Sequence, residues 1–405
     1  MAVLIRPHGG GPLKPLLMPA SERACELKRA ETLTKVRLSS REVSDLLMLA
    51  MGAYTPLAGF MGEEDWRQCC TDMTTSTGLF WPIPITVSCD RDLASGIKIG
   101  EDIAFVDSIS LEILAIQTVT DKYAIDKELE CKEVFQTTDP AHPGVSKVMA
   151  QPPINLGGPI VALSEGHYPD KYKGLYRRPA DTRALFEKKG WSKVAAFQTR
   201  NPMHRSHEYL AKIALEICDG LLIHQVLGAL KPADLPADVR INAIAALVKN
   251  YFVADTVIQA GYPIEMRYAG PREALLHALV RQNFGCTHLV IGRDHAGVGS
   301  YYGPYDSQRI FDMVPSESLD IQPLKIDITF YCYKCKAMAT TKTCPHGLDD
   351  RLTVSGTRLR KMLAHHEPIP EEFSRREVVA VLQSHYDRVR ESDEPHDTAD
   401  RRKAQ

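Results

Sequence analysis

Apolar positions follow two regimes along the chain. Up to about residue 165 they come as short β-like runs, at 83–87, 103–106 and 113–119, broken by turns such as Ser95-Gly96. One helical pattern interrupts them over 40–51, with Ser39 or Ser40 as its cap. This predicts a mostly β, α+β region. The segment Gln151-Pro-Pro-Ile-Asn-Leu-Gly-Gly-Pro159 reads as a border or linker, because proline and glycine punctuate regular structure. From about 160 to 325 the pattern alternates. Strands are expected at 160–163, 194–197, 221–226, 264–268 and 287–291, and helices at 181–189, from Met203, at 237–251 and at 272–283. Strands alternating with helices predict a doubly wound parallel sheet. The last part, 326–390, opens on a cysteine cluster and ends in helical segments at 355–364 and 374–386; 391–405 is a charged, frayed tail. The expected division is therefore 1–165, 166–325, 326–390 and 391–405, with no internal repeat.

Composition narrows the function classes. Of the 405 residues 44% are hydrophobic and 25% charged, which describes an ordinary globular chain. The net charge of −2 gives no global attraction to nucleic acid or to an anionic membrane, so any anion site must be local. No run approaches the roughly 18 apolar residues of a membrane span, and 1–5 is too short for a signal-peptide core; a cytoplasmic protein is expected. Ten cysteines in so long a chain predict free thiols rather than a disulfide scaffold.

The densest chemistry lies in Gln198-Thr-Arg-Asn-Pro-Met-His-Arg-Ser-His207, between an expected strand and an expected helix. Asn201 suits an N-cap and Pro202 the first helical position. Unpaired backbone N–H groups and the positive end of the helix dipole would then attract phosphate or sulfate, with His204 and His207 adding donors from one helix face. One histidine here would read as a packed core residue. Two, together with Gln198, Arg200 and Asn201, point to anion binding. A zinc-protease reading fails because no glutamate lies between histidines four apart, and Glu208 falls outside the pair.

A second anion-binding candidate follows the 287–291 strand as Gly292-Arg-Asp-His-Ala-Gly-Val-Gly299. Its glycines allow close backbone approach, Arg293 and His295 can meet negative charge, and Asp294 would orient a basic neighbour or magnesium-bound water. Taken alone this is a flexible glycine-rich loop; two such loops at one sheet edge strengthen the reading. A third segment, Thr353-Val-Ser-Gly-Thr-Arg-Leu-Arg-Lys361, places Ser355 at a helix N-cap with Thr357, Arg358 and Arg360 following, and is similar to a late motif of HxxH-type nucleotidylyltransferases. Cys332-Tyr-Lys-Cys335 with Cys344 and His346 offers three thiolates and an imidazole. That set can close a tetrahedral structural zinc site and leaves no position open for catalysis. Neither a GxxxxGK[ST] phosphate loop nor a GxGxxG after a strand is present, which argues against a P-loop kinase and a nicotinamide enzyme.

Tyr54-Thr-Pro-Leu-Ala-Gly-Phe-Met61, Gln198 to His207, Gly270-Pro-Arg-Glu273, Gly292 to Gly299 and Val354-Ser-Gly-Thr357 together resemble the ATP sulfurylase (sulfate adenylyltransferase) family through nearly the whole chain. The resemblance implies a PUA-like N-terminal β domain, a central HUP or Rossmann-like nucleotidylyltransferase domain and a small C-terminal α/β domain, with no room for a fused APS kinase. It implies conversion of MgATP and sulfate to adenosine 5′-phosphosulfate and pyrophosphate, reversibly, in a homodimer. Gln198, Thr199 and Arg200 would hold sulfate with the backbone at Ala296, and Asn201 would lie near the α-phosphate. His204 and His207 would hold the triphosphate, and Gly292, Arg293, Asp294 and His295 the nucleotide side. Catalytic weight would fall on Arg200, Asn201, His204, His207 and Arg293. Zinc occurs in some members only, so at Cys332, Cys335, Cys344 and His346 it rests on the residues themselves.

Two rivals remain open at this point. A nucleotidylyltransferase for a phosphorylated metabolite would use the same histidines, although Arg200 beside Gln198 favours a compact oxyanion. An RNA-binding protein with a PUA-like domain and a zinc module is disfavoured by the near-neutral charge and the lack of a basic–aromatic stripe.

Overall fold

The computed structural model describes residues 3–228, 235–352, 354 and 356–393. The chain forms two compact units, one from 1–198, 214–232 and 258–326, the other from 199–213, 233–257 and 327–405.

In the first unit, β1 (Thr34–Leu38), β2 (Gly59–Phe60), β3 (Ser88–Cys89), β4 (Asp102–Asp107), β5 (Ile113–Thr118), β6 (Asp121–Ala124) and β7 (Ile154–Ala162) make one sheet of order β1-β4-β5-β7-β2, with β3 and β6 also on β7. Only the β1–β4 pairing is parallel among the pairs along this sheet. The expected linker is therefore its central strand. Glycine serves there because the backbones run too close for side chains: at Gly158, φ +147°, a Cβ would lie 2.1 Å from the Thr118 carbonyl oxygen. The 160–163 run likewise belongs to this sheet rather than to the following one. The run 83–87 is buried but forms no strand; only 88–89 pairs as one, while Ser95-Gly96 closes the short helix Arg91–Gly96. Helix Ser40–Ala50 starts as expected, with Ser39 and Glu42 forming a capping box. It packs its apolar face into a core that holds Trp66, Trp81, Phe60 and Phe105.

The second sheet of this unit contains β8 (Val194–Thr199), β9 (Gly220–Val226), β10 (Val257–Tyr262), β11 (His288–Ile291) and β12 (Gln322–Lys325), all parallel, in the order β10-β9-β8-β11-β12. β9 is buried along its whole length, His224 and Gln225 included, as a strand covered on both faces is. Helices Arg205–Leu215, Ala237–Tyr251 and Pro271–Asn283 connect successive strands. The order reverses between β8 and β11, the switch point at which such sheets bind ligands beyond the strands' carboxyl ends. The expected strand at 264–268 is absent. There the Glu265 amide donates to Ser44 Oγ at 2.7 Å and the Arg267 amide to Glu273 Oε1 at 2.9 Å, so side chains take the place of a strand partner.

In the second unit, helix Ala237–Tyr251 packs against Arg376–Asp393, which also contacts Gly356–Ala364. β13 (Thr329–Cys332) and β14 (Ala337–Thr340) form an antiparallel hairpin. Among the described residues no helix is long and apolar enough to cross a membrane.

Candidate active site

Gln198 stands near the end of β8, where its amide is locked from both sides. Oε1 accepts from the Tyr262 hydroxyl at 2.8 Å and from the Arg281 guanidinium, which also lies 4.4 Å over the Tyr262 ring. A guanidinium only donates, so this contact fixes which end of the amide is oxygen. Nε2 then faces Met266 Sδ and His277 Nε2, each at 3.4 Å.

The loop after β11 leaves the neighbouring parallel strand, so the two expected anion loops do emerge at one edge of one sheet. Asp294 and Ala296 both adopt φ of +55°, a left-handed conformation that costs a residue with a side chain about 1 kcal/mol or more and recurs at functional sites. Arg293 Nε meets Asp294 Oδ2 at 2.9 Å, both side chains about half exposed. The Ala296 carbonyl accepts the Gly270 amide at 3.1 Å. Gly270 has φ +50° and lies so close to Tyr302 that a Cβ would sit 2.7 Å from its ring. His295 reaches His277 Nδ1 with its Nε2 at 3.1 Å. Burial, then the neighbouring His277 and Arg281, push the His295 imidazole down to about 3, so it is neutral at pH 7.

In the second unit the chain from Thr199 to His207 differs from expectation in one respect: the helix starts at Arg205, not near Pro202. Asn201 is exposed, in a tight turn closed by Thr199, whose Oγ1 donates to the Asn201 carbonyl at 2.7 Å and accepts its amide at 3.0 Å. His204 takes the N-cap position. Its own N–H donates to His207 Nδ1 at 3.2 Å, the return half of a capping box with imidazole in place of carboxylate. The Arg205 amide donates to the Phe373 carbonyl at 3.0 Å. These two amides are thus taken by the protein and are not offered by the helix end. His204 is stacked on Phe373, ring centroids 4.7 Å apart, with Nδ1 at 2.9 Å from Ser374 Oγ. Burial lowers the pKa of His204 to about 3, with His207 contributing, and that of His207 to about 4. Because His207 Nδ1 accepts, the neutral ring carries its proton on Nε2. Glu208, buried, grips Arg375 through both oxygens at 2.8 and 2.9 Å and Lys212 at 2.7 Å, so it is a clamp rather than a metal ligand.

Thr353 and Ser355 lie outside the described residues, as does the side chain of Thr357. Arg360 is exposed and Arg358 pairs with Glu367 at 2.6 Å. The Cys/His set does converge. Ligand atoms of Cys332, Cys335, Cys344 and His346 lie within 4.8 Å of one another. Sγ of Cys335 and Cys344 are 3.7 Å apart, and His346 Nδ1 stands 3.4, 3.2 and 3.6 Å from the three sulfurs in chain order. A zinc tetrahedron with Zn–S about 2.3 Å and Zn–N about 2.0–2.1 Å has edges of about 3.8 and about 3.6 Å. The four donors therefore fit a metal such as zinc.

Sequence reasoning passed over His277, Glu273, Tyr262 and Arg281 behind Gln198, and Phe373, Ser374 and Arg375 behind the histidines. Gly270-Pro-Arg-Glu273 was the one signal among them.

A family model described as ATP-sulfurylase matches residues 173–385, and one described as a PUA-like domain matches residues 5–165. The chain is 58% identical over 384 residues to a sulfate adenylyltransferase of Chlorobium chlorochromatii and 59% identical over 384 residues to one of Chlorobaculum tepidum, with 95% of each chain covered in both cases. Among solved structures it is similar to a hexameric APS kinase from Thiobacillus denitrificans, with a TM-score of 0.72 at 28% identity over 94% of this chain and 68% of that one. With its mostly β N-terminal sheet and its five-stranded parallel sheet, the chain belongs to the ATP-sulfurylase family of sulfate adenylyltransferases.

Proposed function

We propose that the protein transfers the adenylyl group of MgATP to sulfate by direct in-line attack of a sulfate oxygen on the α-phosphorus, forming adenosine 5′-phosphosulfate and releasing pyrophosphate. That it is a nucleotidyltransferase of sulfate activation follows from its family. The chemistry needs little acid–base help, because sulfate is already ionised and pyrophosphate leaves as a stabilised anion. It needs charge control, since a dianion must approach a polyanion in line; positioning and preorganised donors supply that.

The reading is carried by one observation: Gln198 and the Gly292–Gly299 loop leave adjacent parallel strands where the strand order reverses. In this reading Gln198, Thr199 and Arg200 hold sulfate with the Ala296 backbone, and Asn201 serves the α-phosphate. His204 and His207 act on the triphosphate as neutral donors, and Gly292, Arg293, Asp294 and His295 take the nucleotide side. Mg2+ arrives with ATP. Zinc, held by Cys332, Cys335, Cys344 and His346, would tie the β13–β14 hairpin to the loop after it as a structural ion, and a homodimer is the proposed assembly. The test is pyrophosphate release from MgATP with sulfate against a panel of phosphorylated acceptors, run also in the ATP-forming direction. Release that is independent of sulfate but supported by a phosphometabolite would replace this reading with the rival one.

A further inference from the structure

His277 is completely buried in the helix Pro271–Asn283, yet it touches two residues of the proposed site. Its Nε2 stands 3.4 Å from Glu273 Oε1, one helical turn away, and 3.4 Å from Gln198 Nε2; its Nδ1 stands 3.1 Å from His295 Nε2. Glu273 is itself fully buried, with each carboxylate oxygen receiving a backbone amide, from Arg267 at 2.9 Å and from Ala269 at 3.0 Å. Burial pushes its pKa up, but the His277 contact and the Arg267 amide and charge outweigh this and hold it below the ordinary range, so the carboxylate is ionised.

Proton accounting then restricts the ring. His277 Nε2 has two partners at 3.4 Å, the Gln198 amide nitrogen, which can only donate to a lone pair there, and the ionised Glu273 carboxylate, which can only accept; the charged acceptor is the stronger pull and draws a hydrogen onto Nε2. Neutral His277 therefore presents a lone pair at Nδ1, which takes the Nε2 hydrogen of His295 and leaves His295 Nδ1 as an acceptor. Protonated His277 instead donates from Nδ1 to His295 Nε2, and His295 must then carry its own hydrogen on Nδ1, as a donor. An anion against His295 Nδ1 selects the second arrangement. The charged or titratable groups facing His277 are Glu273 and Arg281 from its own helix, Arg267 from the segment before it, His224 from β9 and His295 from the loop after β11.

We propose that His277 is a positioning residue for adenylyl transfer: anchored on Glu273, it sets the ring and tautomer of His295, and it takes up a proton when an anionic substrate group binds His295. This rests on the nucleotide-side role proposed above for His295.

The test is a double-mutant cycle on the full chain, with His277→Asn, His277→Leu and His295→Asn, read by steady-state kinetics with MgATP and by titration calorimetry of MgATP binding at pH 8 in buffers of different ionisation enthalpy. His295→Asn, in a partly exposed loop, and His277→Leu are each expected to raise KM for MgATP on the order of 10- to 100-fold. The double variant is expected to be no worse than the worse single one, because the two act through one contact. His277→Asn, which keeps a polar atom near the place of Nδ1, is expected to recover part of the loss. Wild-type binding is expected to take up a fraction of a proton that His277→Leu and His295→Asn both abolish. If the His277 variants do not fold, proton uptake in the wild type that survives in His295→Asn overturns the proposal. Impairment by His295→Asn with no effect of His277→Leu, or fully additive losses, overturns it while leaving the role of His295 standing. No effect of His295→Asn on MgATP removes that role and the proposal with it.

Discussion

The backbone N–H of His204 is bonded to the ring of His207, Nδ1 at 3.2 Å, so the two histidines are a single unit: the second fixes the backbone of the first, and its neutral ring keeps its hydrogen on Nε2. His204 is fixed in turn by Ser374 Oγ at 2.9 Å and by the Phe373 ring. Replacing His204 by Ala is expected to lower kcat about 10²- to 10³-fold, roughly 3–4 kcal/mol, the loss found for one preorganised donor. Ser374→Ala, which removes the orienting partner only, is expected to cost less. Pyrophosphate release at saturating MgATP and sulfate measures both; near-normal turnover of His204→Ala would rule out its role on the triphosphate.

Arg200→Ala separates the acceptor from the nucleotide. Sulfate-dependent turnover should drop about 10²-fold or more through a raised KM for sulfate, while MgATP binding measured by calorimetry stays near wild type. Equal losses in both would take Arg200 off the acceptor.

Stability should depend on the buried imidazoles. His204, His207 and His295 titrate at about 3, 4 and 3 in the folded chain, against about 6.5 when unfolded. Between those limits the unfolded state binds more protons, so folding stability rises with pH through the window and is lost as pH falls below about 6.5. Each such group contributes a slope of up to about 1.4 kcal/mol per pH unit. Denaturant melts from pH 7 to pH 5 should show this, and His295→Asn should make the dependence shallower; an unchanged slope would show that the ring binds protons alike in the folded and unfolded chain.

The Cys332, Cys335, Cys344 and His346 cluster predicts one equivalent of zinc in purified, metal-replete protein. Chelation or Cys335→Ser should remove it and lower the unfolding temperature, by about 2–4 °C for each kcal/mol lost. Elemental analysis finding well under one metal per chain would dismiss the site.

Periodicity reveals what periodicity builds. Helix Ala237–Tyr251 and strands β8 and β9 stand where the apolar pattern puts them, and β8 and β11, the strands that precede the two candidate segments, are parallel neighbours as the alternation implies. Gln151 to Pro159 misleads because glycine and proline usually end a strand, whereas Gly158 is needed inside one to clear the Thr118 carbonyl. The helix after His204 starts late because His207, not Asn201, completes its cap, a role that residue type alone does not signal. His277 is illegible for a plainer reason. A histidine within a buried helix has the look of core packing, and only the distances to Glu273, Gln198 and His295 give it a task.

The second unit is assembled from three separate stretches of chain, and its helix Ala237–Tyr251 packs against Arg376–Asp393, about 125 residues downstream. At synthesis rates of about 5–20 residues per second, the first helix waits about 6–25 s for the second to be made. During that interval the helix, whose Ala243, Ile244 and Leu247 are buried in the finished protein, lacks its packing against Arg376–Asp393, and apolar surface left unpacked on a nascent chain favours aggregation.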